Sequence, residues 1–442
     1  MPLLAMVALF SQISLQAQDQ GDGLGLPLNP FFFHDGDKPV VFVGEGSTEQ
    51  RMYTTLIETY TLTRFPDWNI TFRNAGWDGD TVTLSKRGDY DASLARDVLA
   101  LHPKVVTLSF GMTDSGAGET GLSDYTKGLT KQVKDVEAAG ARVALFSPTP
   151  KEGFEFQAPA GNHDNSSIKK YVDGMKIVSD NERVPFIDLY TPLLNLIEAG
   201  RKCGVLGASV DAVDLGATRL TIDGTHPNWG AHLVMATVIL QRFRAPALVS
   251  SVSVDAAARS ISSSQDCVVE WQDVPNGALQ IKRTDRALPW PLPDDPAIDL
   301  ALKLPGFDPA TALNRYEYKV TGLKPGYYKL TIDGAEIGTY LGSDLARGIN
   351  LGFVKQGPIY DQEQQLLQAV TAKNEAYYNR WRNVQLYQTP GWLQGPGLEG
   401  ARSAEMARLD KVISDAEDNI ETLRKPVTHV FRLDPVAPAP GK

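Results

Sequence analysis

Two cysteines among 442 residues are too few for a disulfide framework. Cys203 and Cys267 either pair across a domain boundary in an oxidising compartment or stand as buried free thiols. Positive charge is also scarce: 43 Lys and Arg face 53 Asp and Glu, a formal net charge of −10. With no basic stripe to neutralise phosphates, the composition argues against nucleic-acid partners. No run beyond the first residues is apolar enough to span a bilayer, and no internal repeat is present. Metal-ligand spacing is missing too. His34, Asp35, Asp37 and the His163-Asp164 pair could be ligands, yet nothing resembles a HExxH or Cys–His set, and they read as loop residues. Neither a metal nor another cofactor is expected.

What is present is a soluble globular composition, 42% hydrophobic and 22% charged, on a chain long enough for two or three domains. Residues 1–17 read as a signal peptide, with the apolar core Leu3-Leu4-Ala5-Met6-Val7-Ala8-Leu9-Phe10 ahead of Ser14-Leu15-Gln16-Ala17, although no Lys or Arg precedes that core. A secreted or periplasmic protein is expected. Over residues 30–246 short apolar runs alternate with helical periodicity: strands are predicted at 39–43, 70–74, 105–110, 143–147 and 186–188, with a helix over 123–139 that ends at Gly140. Such βαβ alternation means an α/β domain built on a parallel sheet covered on both faces. Residues 247–356 read as a β-rich accessory domain of antiparallel strands, whose tyrosines either stack on sugar rings or pack across strands. Residues 357–442 read as a helical hairpin, with Tyr377, Trp381 and Leu386 on its packed face, followed by a disordered tail.

Four stretches of the first domain lie where a parallel sheet puts its ligands, after strand ends or on a late loop. The first is Gly44-Glu45-Gly46-Ser47-Thr48-Glu49-Gln50, a strand-to-helix turn able to hold a reacting side chain near free backbone N–H groups. In the second, Asn74-Ala75-Gly76-Trp77-Asp78-Gly79-Asp80-Thr81, the glycines either bring backbone donors to a ligand or form an ordinary turn. The third is Ser109-Phe110-Gly111-Met112-Thr113-Asp114, in which Asp114 also suits a helix cap. The fourth, Asp223-Gly224-Thr225-His226-Pro227, places a carboxylate three residues before a histidine. There it can fix the imidazole tautomer and leave the other nitrogen as a base, or the stretch can simply start a helix beside a solvated His. His232 reads as packing or surface.

In order, spacing and flanks these stretches resemble the GDSL or SGNH hydrolase family, over roughly residues 38–246. The resemblance rests on Asn74-Ala75-Gly76-Trp77, Gly79-Asp80-Thr81-Val82 and Asp223-Gly224-Thr225-His226-Pro227. It implies a three-layer α/β/α sandwich and the hydrolysis of carboxylic esters, often acetyl groups on sugars or acyl chains on lipids, so the expected partner is a small-molecule or carbohydrate ester. It also implies His226 as general base, Asp223 as its orienting carboxylate and Gly76 as an oxyanion donor. Two departures stand out. The family's Gly-Asp-Ser falls on Gly44-Glu45-Gly46, leaving Gly46 at the nucleophile position, and the family's oxyanion-binding Asn becomes Thr113. Ser47 either supplies the nucleophile, if Gly46 lets the turn bend, or caps the helix. An esterase, or a silent relative that keeps the cleft for a carbohydrate or protein partner, both follow.

Overall fold

The computed structural model describes residues 31–152, 165–207, 218–275 and 277–436. The expected signal peptide, the His163-Asp164 pair and the end of the tail lie outside the described residues.

Strand β1 (Val40–Gly44) is buried at every position. Side chains alternate across a strand, so Val40 and Phe42 enter one apolar cluster and Val41 and Val43 another. It is joined by β2 (Phe72–Asn74), β3 (Val105–Ser109), β4 (Arg142–Phe146) and β5 (Phe186–Ile187) in the order β2-β1-β3-β4-β5, and every pairing is parallel. Around this sheet run α1 (Gly46–Glu49), α2 (Met52–Arg64), α3 (Tyr90–Asp97), α4 (Leu122–Ala138), α5 (Asn165–Glu182), α6 (Tyr190–Lys202) and α7 (Trp229–Arg242). On one face Tyr53, Leu56, Leu233 and Val234 of α2 and α7 pack with Phe42; on the other Leu129, Val133, Tyr171 and Met175 of α4 and α5 pack with Val43. The result is a three-layer α/β/α sandwich. Helix α4 stops where Gly140 takes φ +85°, a conformation that favours glycine. From β1 the chain goes to β2 on one side and then crosses back to β3 on the other. The crevice outside the carboxyl ends of the strands at such a reversal is a natural ligand site.

Among the described residues nine further strands follow: β6 (Leu248–Asp255), β7 (Ser260–Gln265), β8 (Cys267–Gln272), β9 (Leu279–Asp285), β10 (Arg315–Thr321), β11 (Tyr327–Ile332), β12 (Ala335–Leu341), β13 (Ile349–Asn350) and β14 (Thr428–Val436). They form one sheet ordered β13-β10-β6-β7 and another ordered β12-β11-β14-β9-β8, over a shared core. Two sequence expectations are corrected. The accessory strands are not uniformly antiparallel, because β10 runs parallel to β6 after a long crossover through β7 to β9. The segment beyond residue 357 is not only a hairpin and a tail, because β14 returns to lie between β11 and β9. His429, Phe431 and Leu433 are buried at every second position of that strand, the period-two pattern that marks it. Tyr316, Tyr318 and Tyr328 are buried, the first two beside Phe431, which leaves them no face for a sugar ring; Tyr327 alone of this group is exposed. Both cysteines are free, Cys203 exposed and Cys267 buried. Among the described residues no helix is long and apolar enough to cross a membrane.

Helices α8 (Pro358–Tyr378) and α9 (Pro396–Leu423) form the expected hairpin, and it lies against the first sheet. Leu366, Val370 and Ile420 share a cluster with Phe42 and Tyr53, as does the fully buried Trp290, whose indole N–H donates to the Leu56 carbonyl at 3.0 Å. Lys373 of α8 forms a buried ion pair with Glu58 of α2, and Asn374 donates to the same carboxylate at 2.9 Å. A buried charge is tolerable only when paired and hydrogen-bonded in this way.

Candidate active site

The site starts where β1 ends. At Gly44 a Cβ would fall 2.3 Å from Thr48 Oγ1 and 2.6 Å from the Ser109 carbonyl, so only glycine lets the turn close onto β3. The next side chain, Glu45, is buried and points across to the loop after β3. Its carboxylate accepts the N–H groups of Met112 at 2.7 Å and Thr113 at 2.6 Å, and the Thr113 hydroxyl as well. Burial pushes the Glu45 carboxyl up to about 8, against the pull of the Thr113 and Met112 bonds and with help from nearby Asp114. Asp114 itself rises to about 6, chiefly through burial. Rather than capping the following helix, its carboxylate accepts the Val82 N–H at 3.1 Å.

Gly46 opens α1. A Cβ built there lies 3.4 Å from His226 Nε2 and 2.6 Å from Asp78 Oδ1. Position 46 therefore faces the histidine. Ser47 is the second residue of α1 and does neither of the things expected of it. Its hydroxyl makes no hydrogen bond to His226, and Glu45, not Ser47, is the residue before the helix, itself without a side-chain cap. The N–H groups of Gly46 and Ser47, in the first turn, have no acceptor among the described residues.

His226 stands against the carboxylate of Asp223. Its Nδ1 lies 2.7 Å from Asp223 Oδ2, while Asp223 Oδ1 accepts the backbone N–H of His226 at 2.8 Å and of Thr225 at 3.0 Å. Partial burial pulls the Asp223 carboxyl upward, but the bonds from His226 and Thr225 together outweigh it and hold it below the ordinary carboxylate range. A carboxylate beside Nδ1 favours the tautomer protonated there, an arrangement that can leave Nε2 free to accept a proton. Asn228, not Pro227, starts the next helix: its side chain caps α7 by accepting from Gly230 and Ala231. His232 is wholly buried and forms part of the scaffold. Its Nε2 meets Gln50 Oε1 at 3.0 Å, its Nδ1 accepts from Tyr53 N–H at 3.3 Å, and burial lowers it to about 3, so it stays neutral.

Neither expected oxyanion donor is free. The Gly76 N–H donates to Asn74 Oδ1 at 2.9 Å, and a Cβ at Gly76 would sit 2.4 Å from the Glu49 nitrogen, so this glycine serves the close approach of the loop to α1. Thr113 gives both its N–H and its hydroxyl to Glu45. Three residues past Gly76 on the same loop, Gly79 (φ +76°) has an N–H without an acceptor among the described residues.

Four further contacts surround the site. Gln50 Nε2 donates to the Pro227 carbonyl at 3.1 Å and ties the first stretch to the fourth. Buried Glu152 accepts from Leu220 N–H at 3.1 Å and the Thr221 hydroxyl at 2.7 Å, fixing the base of the His226 loop. Glu49 accepts the Asp78 N–H and is held in turn by Arg382 at 2.5 Å and the Tyr378 hydroxyl at 3.2 Å. Asp78 approaches His226 Nε2 to 3.9 Å. Glu49, Gln50 and Asp78 lie within stretches already singled out, whereas Glu152, Tyr378 and Arg382 carry no local signal. Among the metal candidates, Asp35 accepts from Asn69 N–H at 2.7 Å, and Asp37 accepts from His34 N–H and from Arg142, both at 2.7 Å; no acidic, His or Cys cluster among the described residues could hold an ion.

The family profile described as the GDSL-like Lipase/Acylhydrolase family matches residues 42–232. No curated protein matches the chain. A solved gut microbial diltiazem-metabolizing enzyme, 23% identical, superposes over 91% of this chain and 98% of its own with a TM-score of 0.72, and so shares the fold nearly end to end. An acetylxylan esterase from Geobacillus stearothermophilus, 18% identical, covers 48% of this chain and 96% of its own with a TM-score of 0.38. An alpha/beta hydrolase from the metagenome of Lake Arreo, Spain, 19% identical, covers 48% and 98% with the same TM-score. With the crevice at the β1 reversal, the Asp223–His226 pair and the profile match in place, residues 42–232 of this chain are a domain of the GDSL-like lipase/acylhydrolase family.

Proposed function

We propose that the protein hydrolyses carboxylic esters, acetylated or acylated carbohydrate being the substrate class, with water in place of a serine as the attacking group. The observation that carries this is the direction of the missing side chain: a Cβ at Gly46 would stand 3.4 Å from His226 Nε2. A water held there takes the place of a serine hydroxyl. His226 Nε2 accepts a proton from it, and the resulting hydroxide adds to the ester carbonyl carbon. As the tetrahedral intermediate collapses, the imidazolium returns its proton to the departing alkoxide, giving carboxylic acid and alcohol. Asp223 orients the ring and steadies its charge. The unengaged N–H groups of Gly46, Ser47 and Gly79 are the donors available to the oxyanion. Export, on the pattern of residues 1–17, belongs to the same proposal.

The rate would be low, since loss of a triad serine costs on the order of a million-fold. The test is hydrolysis of p-nitrophenyl acetate by the full chain together with exposure to a fluorophosphonate. Turnover that His226→Ala abolishes, without covalent labelling, supports the water route. Labelling at Ser47 would refute it, as would turnover no faster than that of His226→Ala.

A second reading, binding without turnover, is favoured by Glu45, whose carboxylate takes up both the N–H and the hydroxyl of Thr113. Saturable binding of an acetylated oligosaccharide with no release of acetate would select it.

A further inference from the structure

Asp78 has no counterpart among the roles assigned so far, and it stands on the far side of the space that a serine would fill. Its Oδ1 is 2.6 Å from the Cβ position at Gly46 and 3.9 Å from His226 Nε2. Too long for a direct hydrogen bond, the second distance is the span that one bridging water closes. A side chain of any kind at position 46 would fill that span, so the carboxylate and the absent Cβ are alternatives in one place.

The backbone that carries Asp78 is fixed from outside the matched domain. Its N–H is held by Glu49, which Arg382 and Tyr378 grip from the hairpin region of the chain. Arg382 also lies 3.6 Å over the ring of Trp77, the residue just before. The loop is clamped while the carboxylate itself, 63% exposed, remains open to water and substrate.

We infer that Asp78 is a second catalytic residue, a hydrogen-bond acceptor that with His226 holds and orients the hydrolytic water in the space left by Gly46. This rests on the water route proposed above. Asp78 accepts a hydrogen bond from the O–H that the water keeps while His226 Nε2 takes the proton that leaves, so the lone pair is aimed at the carbonyl carbon and no group beyond water and ester is consumed. Asp78 is thus useful only while position 46 lacks a side chain.

The experiment is a two-by-two comparison of Asp78→Ala and G46S in the full chain. Alone, Asp78→Ala should lower kcat for p-nitrophenyl acetate by about 10-fold or more, less than the roughly 100- to 10,000-fold of a base that takes the proton itself, with KM little changed. Added formate, a small carboxylate able to enter the opened space, should restore most of the loss, whereas chloride at equal ionic strength should not. In the G46S background the sign should reverse. There Asp78→Ala should speed fluorophosphonate labelling at position 46, because it removes the oxygen 2.6 Å from the new Cβ. Unchanged kcat in Asp78→Ala, in a protein whose turnover His226→Ala abolishes, overturns the role of Asp78 and leaves the water route standing. A loss that formate does not relieve overturns it too, since it marks Asp78 as structural. Wild-type turnover no faster than that of His226→Ala removes both proposals together.

Discussion

Replacing Gly46 by serine is the sharpest perturbation the site offers. Gly46 is not among the glycines with positive φ, so the backbone accepts a side chain without strain. The new Cβ would be 3.4 Å from His226 Nε2, and a hydroxyl one bond further on can reach the window of about 2.6–3.2 Å in which a nucleophile passes its proton to a base. The one obstacle is Asp78 Oδ1 at 2.6 Å from that Cβ, the end of an exposed side chain that can rotate away. A restored serine is worth on the order of a million-fold, and one missing oxyanion donor removes about 100- to 1,000-fold of that. With Thr113 committed to Glu45 and the unengaged N–H groups of Gly46, Ser47 and Gly79 in place of that of Gly76, G46S should therefore raise turnover of an activated acetyl ester by about a thousand-fold or more. The assay is burst kinetics on p-nitrophenyl acetate, paired with mass spectrometry of the fluorophosphonate adduct on the peptide that contains position 46. A folded G46S protein with neither burst nor adduct would refute the placement of Gly46 opposite the base.

Other consequences concern the scaffold. Glu45 sits at about 8 in the fold against an ordinary 4.5. Its contribution is therefore complete below pH 4.5 and lost as pH rises through 8, and Glu45→Gln should remove on the order of 4 kcal/mol of stability change between pH 5 and pH 9, read as the difference between the two proteins' denaturation midpoints. Lys373→Met should cost about 3–5 kcal/mol by stranding the buried Glu58 carboxylate, while the double change with Glu58→Leu should recover much of it; a double loss equal to the sum of the two single losses would show that the pair carries no coupling. Glu152→Ala strips the acceptor from the buried Leu220 N–H, at about 1–3 kcal/mol, and should lower kcat through a loosened His226 loop while KM holds; an unchanged kcat would show that the loop stands without it.

The α/β domain was readable because its signals are local. An all-apolar strand such as β1 and a helix closed by Gly140 are written in consecutive residues, and the Asp223–His226 pair spans three. Less of the surroundings was readable, because the contacts that matter there span long separations. Nothing near Lys373 announces that it will neutralise Glu58, and nothing near Arg382 announces a grip on Glu49. Strand β14 did carry a local signal, the alternation of His429, Phe431 and Leu433, but it followed a long polar helix and ran into a short Pro- and Ala-rich stretch, whose composition outweighed five alternating residues. Gly76 shows a different limit. Sequence locates a glycine on the right loop, but which N–H on that loop is free depends on where the Asn74 side chain turns.

Positions 45, 46 and 113 look independent along the chain, yet in space two of them form one hydrogen-bonded unit and the third borders it. Glu45 is one methylene longer than the family's Asp, and it is the carboxylate that reaches the Met112 and Thr113 nitrogens. Thr113, shorter than Asn, turns its hydroxyl to that same carboxylate instead of to a ligand. The third block is thereby closed from inside. Restoring an Asn at 113 without shortening Glu45 would set a larger side chain against a carboxylate that already holds the loop's N–H groups, and would gain little. Thr113→Asn should therefore improve the G46S enzyme only when Glu45→Asp accompanies it. A full gain from Thr113→Asn with Glu45 left in place would mean that the two positions are not coupled.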